Sequence, residues 1–240
     1  MSNEVTEPWV IIPTYNERDN VNPLIKEVFS LSIPNLHLLF VDDNSPDKTA
    51  DLIKQEQNQL PHLHLLLRPK KDGLGRAYIE GFQYAIDHGA SHLIQMDADF
   101  SHNPQDIPRL LNASARGIDV VIGSRYKNGI SVINWPLRRL LISMTGNIYA
   151  TFITGLPFKD VTGGFRCWRS EILNKIALPS IKANGYAFQI ITVYLAWKKG
   201  ATITEIPITF TERREGQSKM SRAIVREAIW IVWRVRLTGK

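Results

Sequence analysis

Asp97-Ala98-Asp99, which follows the apolar run Leu93-Ile94-Gln95-Met96, holds the two side chains best spaced to do chemistry together. In an extended chain residues i and i+2 point the same way, so both carboxylates can face one ligand while Ala98 leaves space beside them. Two carboxylates this close repel unless a cation lies between them or one takes a proton. Oxygen ligands of this kind suit Mg²⁺ or Mn²⁺, and Mg²⁺ is usually held by one or two carboxylates with substrate phosphates completing its shell. A glycosidase needs carboxyl groups about 5 to 10 Å apart across a glycosidic bond, a span this pair is too close in sequence to provide. The spacing points instead to a metal–diphosphate site on Asp97 and Asp99, although an isolated Asp-x-Asp reads equally well as a polar strand end.

The elements around the pair carry the decision. Trp9 to Pro13, Leu38 to Val41, Leu63 to Leu67, the run before Asp97, Val120 to Gly123 and Ile203 to Phe210 read as strands. Helical runs start near Asn20, Thr49 and Pro104, and another spans Leu74 to Asp87. Strands alternating with helices predict a mainly parallel sheet flanked by helices on an α/β plan. Ligands of such sheets sit beyond the carboxyl ends of the strands. Four strand ends here run into polar residues: Pro13, Tyr15 and Glu17; Asp42 and Asp43; Arg68, Lys70 and Lys71; Asp97 and Asp99. This predicts a nucleotide lying across the sheet edge, with Asp43 on ribose or base. Residues Asp42 to Asp47 would also make an ordinary turn unaided. Gly73 and Gly75 lack the dinucleotide fingerprint, so a nicotinamide cofactor is not expected.

The chain has 240 residues, 44% of them hydrophobic, enough for one catalytic domain over residues 1–220 with residues 221–240 as an amphipathic appendage. A lone cysteine, Cys167, excludes an internal disulfide and reads as a small buried hydrophobe in a reducing compartment. Met1 to Glu7 lacks the features of a secretory signal, so a cytoplasmic location is expected. The net charge is +6, and Arg213 to Lys240, with eight basic and two acidic residues, carries all of it. No nucleic-acid signature accompanies the basic segment, so the expected partners are an anionic lipid surface or a phosphorylated substrate.

The ordered set Pro13-Thr14-Tyr15-Asn16-Glu17, Val41-Asp42-Asp43-Asn44-Ser45-Pro46-Asp47, Arg68 to Gly75, Asp97-Ala98-Asp99, Gly123-Ser124-Arg125-Tyr126 and Gly185 to Gln189 resembles the dolichyl (polyprenyl) phosphate mannosyltransferases. These are inverting, GT-A-type enzymes of glycosyltransferase family 2. The resemblance implies GDP-mannose as donor, a polyprenyl or dolichyl monophosphate as acceptor and a divalent metal, Mg²⁺ or Mn²⁺. By position Pro13, Tyr15, Glu17, Val41 and Asp43 would hold guanosine, and Asp97, Ala98 and Asp99 would meet ribose, diphosphate and metal. Some relatives carry a glutamine ligand where this chain has Ser101. A phosphate monoester with a second pKa of about 6 is already an anionic nucleophile at neutral pH. The site then needs charge compensation rather than a general base, and Arg125, Arg139, Arg213 and Lys219 are the expected phosphate partners.

Two stretches offer a route to the bilayer. Leu140 to Leu156 is apolar but interrupted by polar residues, and a membrane span wants about 20 mostly apolar ones. Arg222 to Leu237, read as a helix, sets Ile224, Ala228, Ile231, Val232 and Val235 against Arg222, Arg226, Arg234 and Arg236, with Trp230 and Trp233 among the arginines. That pattern suits a headgroup region and equally a helix packed on the domain. The expectation is either a peripheral enzyme on the cytoplasmic membrane face, open to a membrane-anchoring partner subunit, or a chain cut before membrane helices. Two rival readings are a polyprenyl-phosphate glucosyltransferase using UDP-glucose and a non-catalytic nucleotide-sugar-binding module.

Overall fold

Strand β1 (Pro8–Thr14) shows why this sequence makes a buried sheet: Trp9 and Ile11 point to one face, Val10 and Ile12 to the other, and all four are buried. A strand covered on both faces reads as a continuous apolar run rather than an alternating one. The computed structural model describes residues 4–181, 185–212, 230 and 232–237. Beside β1 lie β2 (His37–Asp42) and β4 (His92–Gln95), both parallel to it, and β3 (Leu63–Leu67) lies parallel to β2. Strand β5 (Val120–Ser124) is parallel to β8 (Ile203–Pro207). Between β4 and β5 runs β7 (Arg166–Arg169), antiparallel to both, giving the order β3-β2-β1-β4-β7-β5-β8. Two short strands, β6 (Val132–Ile133) and β9 (Phe210–Thr211), pair separately.

Helices α1 (Arg18–Ser30), α2 (Thr49–Gln57) and α4 (Ile107–Ser114) cover one face, where Val21, Ile53 and Leu110 join a core with Phe40 and Ile94. On the other lie α3 (Leu74–Asp87), α6 (Ser170–Lys175) and α7 (Gly185–Lys198). Gly81 lets α3 approach closely: a Cβ there would stand 2.7 Å from Ile11 and 2.8 Å from Val41. Val232 and Val235 belong to this second core, so the described part of the C-terminal segment, helical over residues 232–237, packs on the body. Trp230, Trp233 and Leu237 are exposed. Helix α5 (Leu137–Thr154) begins three residues before the apolar stretch read from the sequence.

Four sequence expectations change. Strand β4 stops at Gln95, so Asp97 and Asp99 lie beyond the sheet, where the chain bends from Ala98 onward, rather than within the strand. The single strand expected from Ile203 to Phe210 is two, β8 and β9, in different sheets. The helix opened by Pro104 starts as a 3-10 turn, Pro104–Asp106, before α4. Strand β7 was not expected, because Arg-Cys-Trp-Arg reads as polar. Both its arginines are nevertheless buried, Arg166 donating to the carbonyls of Val161 and Gln189 and Arg169 pairing with Asp119 and Glu171.

Candidate active site

The carboxyl ends of β1, β2 and β4 face the same rim of the sheet, and the polar residues that follow them meet there. Asp42, fully buried, accepts from Thr14 Oγ1 at 2.8 Å and from the Ser45 amide and hydroxyl at 2.9 and 2.7 Å, so it fastens its own turn. Asp43 is paired with Arg68, which also donates to Glu80 at 3.0 and 3.1 Å. Burial raises the Asp43 pKa above the usual carboxylate value, with the Arg68 hydrogen bond and charge opposing it. Lys71 Nζ lies 3.9 Å from the centre of the Tyr15 ring. Glu17 stands at the start of α1 and accepts from Asn20. Pro13 and Val41 are register partners in the β1–β2 ladder.

Beyond β4, Asp97 and Asp99 share one turn with Ala98 between them, all three largely shielded from solvent. The Asp97 amide donates to His102 Nδ1 at 3.1 Å, and Asp97 Oδ1 accepts from the Tyr78 hydroxyl at 3.0 Å. Asp99 Oδ1 accepts from the amide and hydroxyl of Ser101 at 3.1 and 2.6 Å, so Ser101 is turned onto the carboxylate. Burial, with the Asp97 charge and hydrogen bond, raises the Tyr78 pKa well above its ordinary value. His102 is lowered by burial, against the charges of Asp97 and Asp99. Gly164 faces this turn: a Cβ there would lie 3.7 Å from Asp97 Oδ2 and 3.7 Å from His102 Cε1. Two carboxylates two residues apart, with no Cβ at residue 164 to lie against Asp97 Oδ2, are oxygen ligands of the kind that suits a hard divalent cation and its phosphate partners.

Arg125 follows β5 but turns inward. Its Nε and Nη2 reach Asp160 at 2.7 Å each, Nη2 also reaches Thr162 at 2.8 Å, and its amide donates to Asp160 at 2.9 Å. Burial alone would raise Asp160, but the charge and hydrogen bonds of Arg125 outweigh it and hold the carboxyl below its usual range. The Arg125 fork thus grips a protein carboxylate rather than reaching out for a phosphate. Arg139, in the first turn of α5, is paired with Glu212 and stacks 4.3 Å from the centre of the Trp135 ring. Trp135, Phe210 and Tyr126 surround the Arg125 side chain within 5.7 Å. Arg213, Lys219, Arg222 and Arg226 lie outside the described residues. Sequence reasoning passed over Tyr78, His102, Asp160 and Gly164. The run Asp160-Val161-Thr162-Gly163-Gly164 was the available signal, since paired glycines beside an acid mark a close approach.

Residues 9–177 match the glycosyl transferase family 2. The chain belongs to this family. Among family 2 relatives, "Polyprenol monophosphomannose synthase" of Mycolicibacterium smegmatis is 46% identical over 230 residues, 95% of this chain and 86% of that protein. "Undecaprenyl-phosphate mannosyltransferase" of Micrococcus luteus is 43% identical over 230 residues, 96% and 94% of the two chains. The fold is shared with glucosyl-3-phosphoglycerate synthase from Mycobacterium tuberculosis, solved with Mn²⁺, UDP and glucosyl-3-phosphoglycerate, at a TM-score of 0.70 and 16% identity over 95% of this chain and 79% of that one. The sheet, mostly parallel and flanked by helices, is thus the GT-A fold expected from the sequence.

Proposed function

We propose that this family 2 chain transfers mannose from GDP-mannose to a polyprenyl monophosphate with inversion, giving a polyprenyl phosphate β-mannose. The observation that carries the reading is the Asp97–Asp99 turn opposite Gly164, in a chain 46% identical to a polyprenol monophosphomannose synthase. Pro13, Tyr15, Glu17, Val41 and Asp43 would hold guanosine, and Asp97, Ala98 and Asp99 the ribose, diphosphate and Mg²⁺ or Mn²⁺. When bound, the metal neutralises charge on the departing diphosphate. The acceptor phosphate oxygen attacks the anomeric carbon as the bond to GDP breaks, so a single displacement inverts that centre. Because the nucleophile is already anionic near neutral pH, no side chain need take a proton. Arg139 is the acceptor-side cation among the described residues, while Arg213 and Lys219 would complete phosphate compensation. Arg125 would serve this end by fixing Asp160 and, through it, the loop that carries Gly164. Equilibrium titration with Mn²⁺ present tests the donor: GDP should bind at least tenfold more tightly than UDP, and a preference for UDP would overturn the guanosine assignment in favour of the glucosyl reading.

The same proposal places the chain peripherally on the cytoplasmic membrane face. No helix among the described residues is long and apolar enough to cross a membrane. Helix α5 is turned inside out for an ordinary surface helix: Asn147, Ala150 and Thr154 are buried, while Leu137, Leu141, Ile148 and Phe152 are exposed. At 3.6 residues per turn these four fall within about 60° of the helix circumference, a single outward apolar stripe. Phe152 is 83% exposed. Such patches mark protein or membrane contacts, and an enzyme with a lipid acceptor needs the second. Exposed Trp230, Trp233, Arg234 and Arg236 would add headgroup contacts. Leu141→Asp with Phe152→Asp should strongly reduce co-sedimentation with phosphatidylglycerol vesicles while sparing transfer to a short, soluble acceptor. Unchanged pelleting would leave the stripe to a protein partner, such as an anchoring subunit.

A further inference from the structure

We propose that His102 and Tyr78 are the positioning residues of the Asp97–Asp99 turn, holding Asp97 from two sides so that its outer oxygen is aimed before metal and diphosphate arrive. The inference rests on the divalent-cation reading of that turn. The last amide of this segment to find a partner in the sheet is that of Met96, which donates to the Ile11 carbonyl at 3.2 Å. The next amide, on Asp97, lies past the ladder, and a buried amide left without an acceptor is costly. His102 Nδ1 supplies the acceptor, which fixes the tautomer with its proton on Nε2. The ring is held in turn: it stacks on Phe165 at 4.9 Å and 16° and meets the edge of Phe210 at 5.3 Å and 83°. Those two residues come from the loop before β7 and from β9, so the bend is anchored to parts of the fold remote in sequence.

Tyr78 acts on the carboxylate. Its hydroxyl comes from the buried face of α3 and lies 3.0 Å from both the Met96 carbonyl and Asp97 Oδ1. A single hydroxyl proton shared between these acceptors ties the carboxylate to the end of the strand. Its ring is packed parallel to Phe188 of α7 and near Phe82 of its own helix. With Oδ1 engaged by Tyr78, Oδ2 is the oxygen turned toward Gly164. Within the same turn the Ser101 amide and hydroxyl hold Asp99 Oδ1. Both carboxylates therefore keep fixed directions, which preorganisation of a metal site requires.

The test uses His102→Phe, which keeps an aromatic ring but removes the acceptor; His102→Asn, whose amide oxygen can take the place of Nδ1; Tyr78→Phe, which removes one oxygen; and Asp99→Ala. Mn²⁺ affinity is read from the electron paramagnetic resonance signal of free Mn²⁺ in the presence of GDP, beside thermal unfolding. His102→Phe and Tyr78→Phe should weaken Mn²⁺ binding about 10- to 100-fold, the usual loss when a group supporting a ligand is removed, and His102→Asn should recover most of it. Binding within twofold of wild type in both phenylalanine variants would overturn the proposal. So would a His102→Asn variant as weak as His102→Phe, since packing alone would then explain the loss. If His102→Phe does not fold, Tyr78→Phe decides. If Asp99→Ala also binds Mn²⁺ like wild type, the metal reading falls and takes this inference with it, whereas loss in Asp99→Ala alone removes only the positioning roles.

Discussion

Asp99→Ala should lower mannosyl transfer by about a thousandfold or more while the protein stays folded. A metal that stabilises the departing diphosphate contributes several kcal/mol in the transition state, and about 4 kcal/mol corresponds to a factor of about 1,000. Asp99 sits on a bend outside the sheet, so replacing it interrupts no strand, although the bonds that its Oδ1 accepts from the Ser101 amide and hydroxyl are lost with it. Transfer assays beside a thermal melt separate the two effects. Near-normal turnover with Mg²⁺ and an unchanged melt would remove Asp99 from the metal.

Arg125→Ala and Arg139→Ala should fail in different ways. Arg125 and Asp160 are 5% and 0% exposed and joined by a bidentate pair. Removing one partner of a buried pair strands the other charge, at a cost of about 3–5 kcal/mol. Arg125→Ala should therefore show as a large drop in thermal midpoint or as insoluble protein. The pair's contribution is full above the ordinary carboxylate range and is lost as pH falls through the lowered Asp160 value, so the gap between wild type and variant should narrow in strong acid. Arg139 is partly exposed in its pair with Glu212, so Arg139→Ala should leave the melt nearly unchanged. Turnover should drop much more than donor affinity does, because acceptor phosphate contacts act near the reacting carbon. A collapse of GDP affinity in Arg139→Ala would move that residue to the donor side.

The contrast between these two arginines shows what the sequence could and could not convey. Position after strand five marked both as phosphate partners, as the ends of other strands marked Asp43, Asp97 and Asp99; Arg125 does follow β5 directly, while Arg139 lies in the first turn of α5. The partner that claims Arg125 was invisible, because Asp160 lies 35 residues away and nothing local links the two. Strands β1 to β5 were legible because their apolar runs are long, and β3 and α3 match the expected bounds residue for residue. Strand β7 was not, since its four residues owe their burial to carbonyls and carboxylates supplied by other elements. His102 and Tyr78 escaped for a similar reason. Each looks like an ordinary residue of a loop or a helix until the fold brings Asp97 to it.

The central claim, mannose moved from a guanosine donor to a lipid phosphate, is most directly tested by incubating the protein and Mn²⁺ with radiolabelled GDP-mannose or UDP-glucose and a short polyprenyl monophosphate in detergent. Labelled polyprenyl phosphate mannose of β configuration should form from GDP-mannose and be suppressed by a chelator, with little product from UDP-glucose. Lipid-linked glucose without lipid-linked mannose, or an α-linked product, would contradict it.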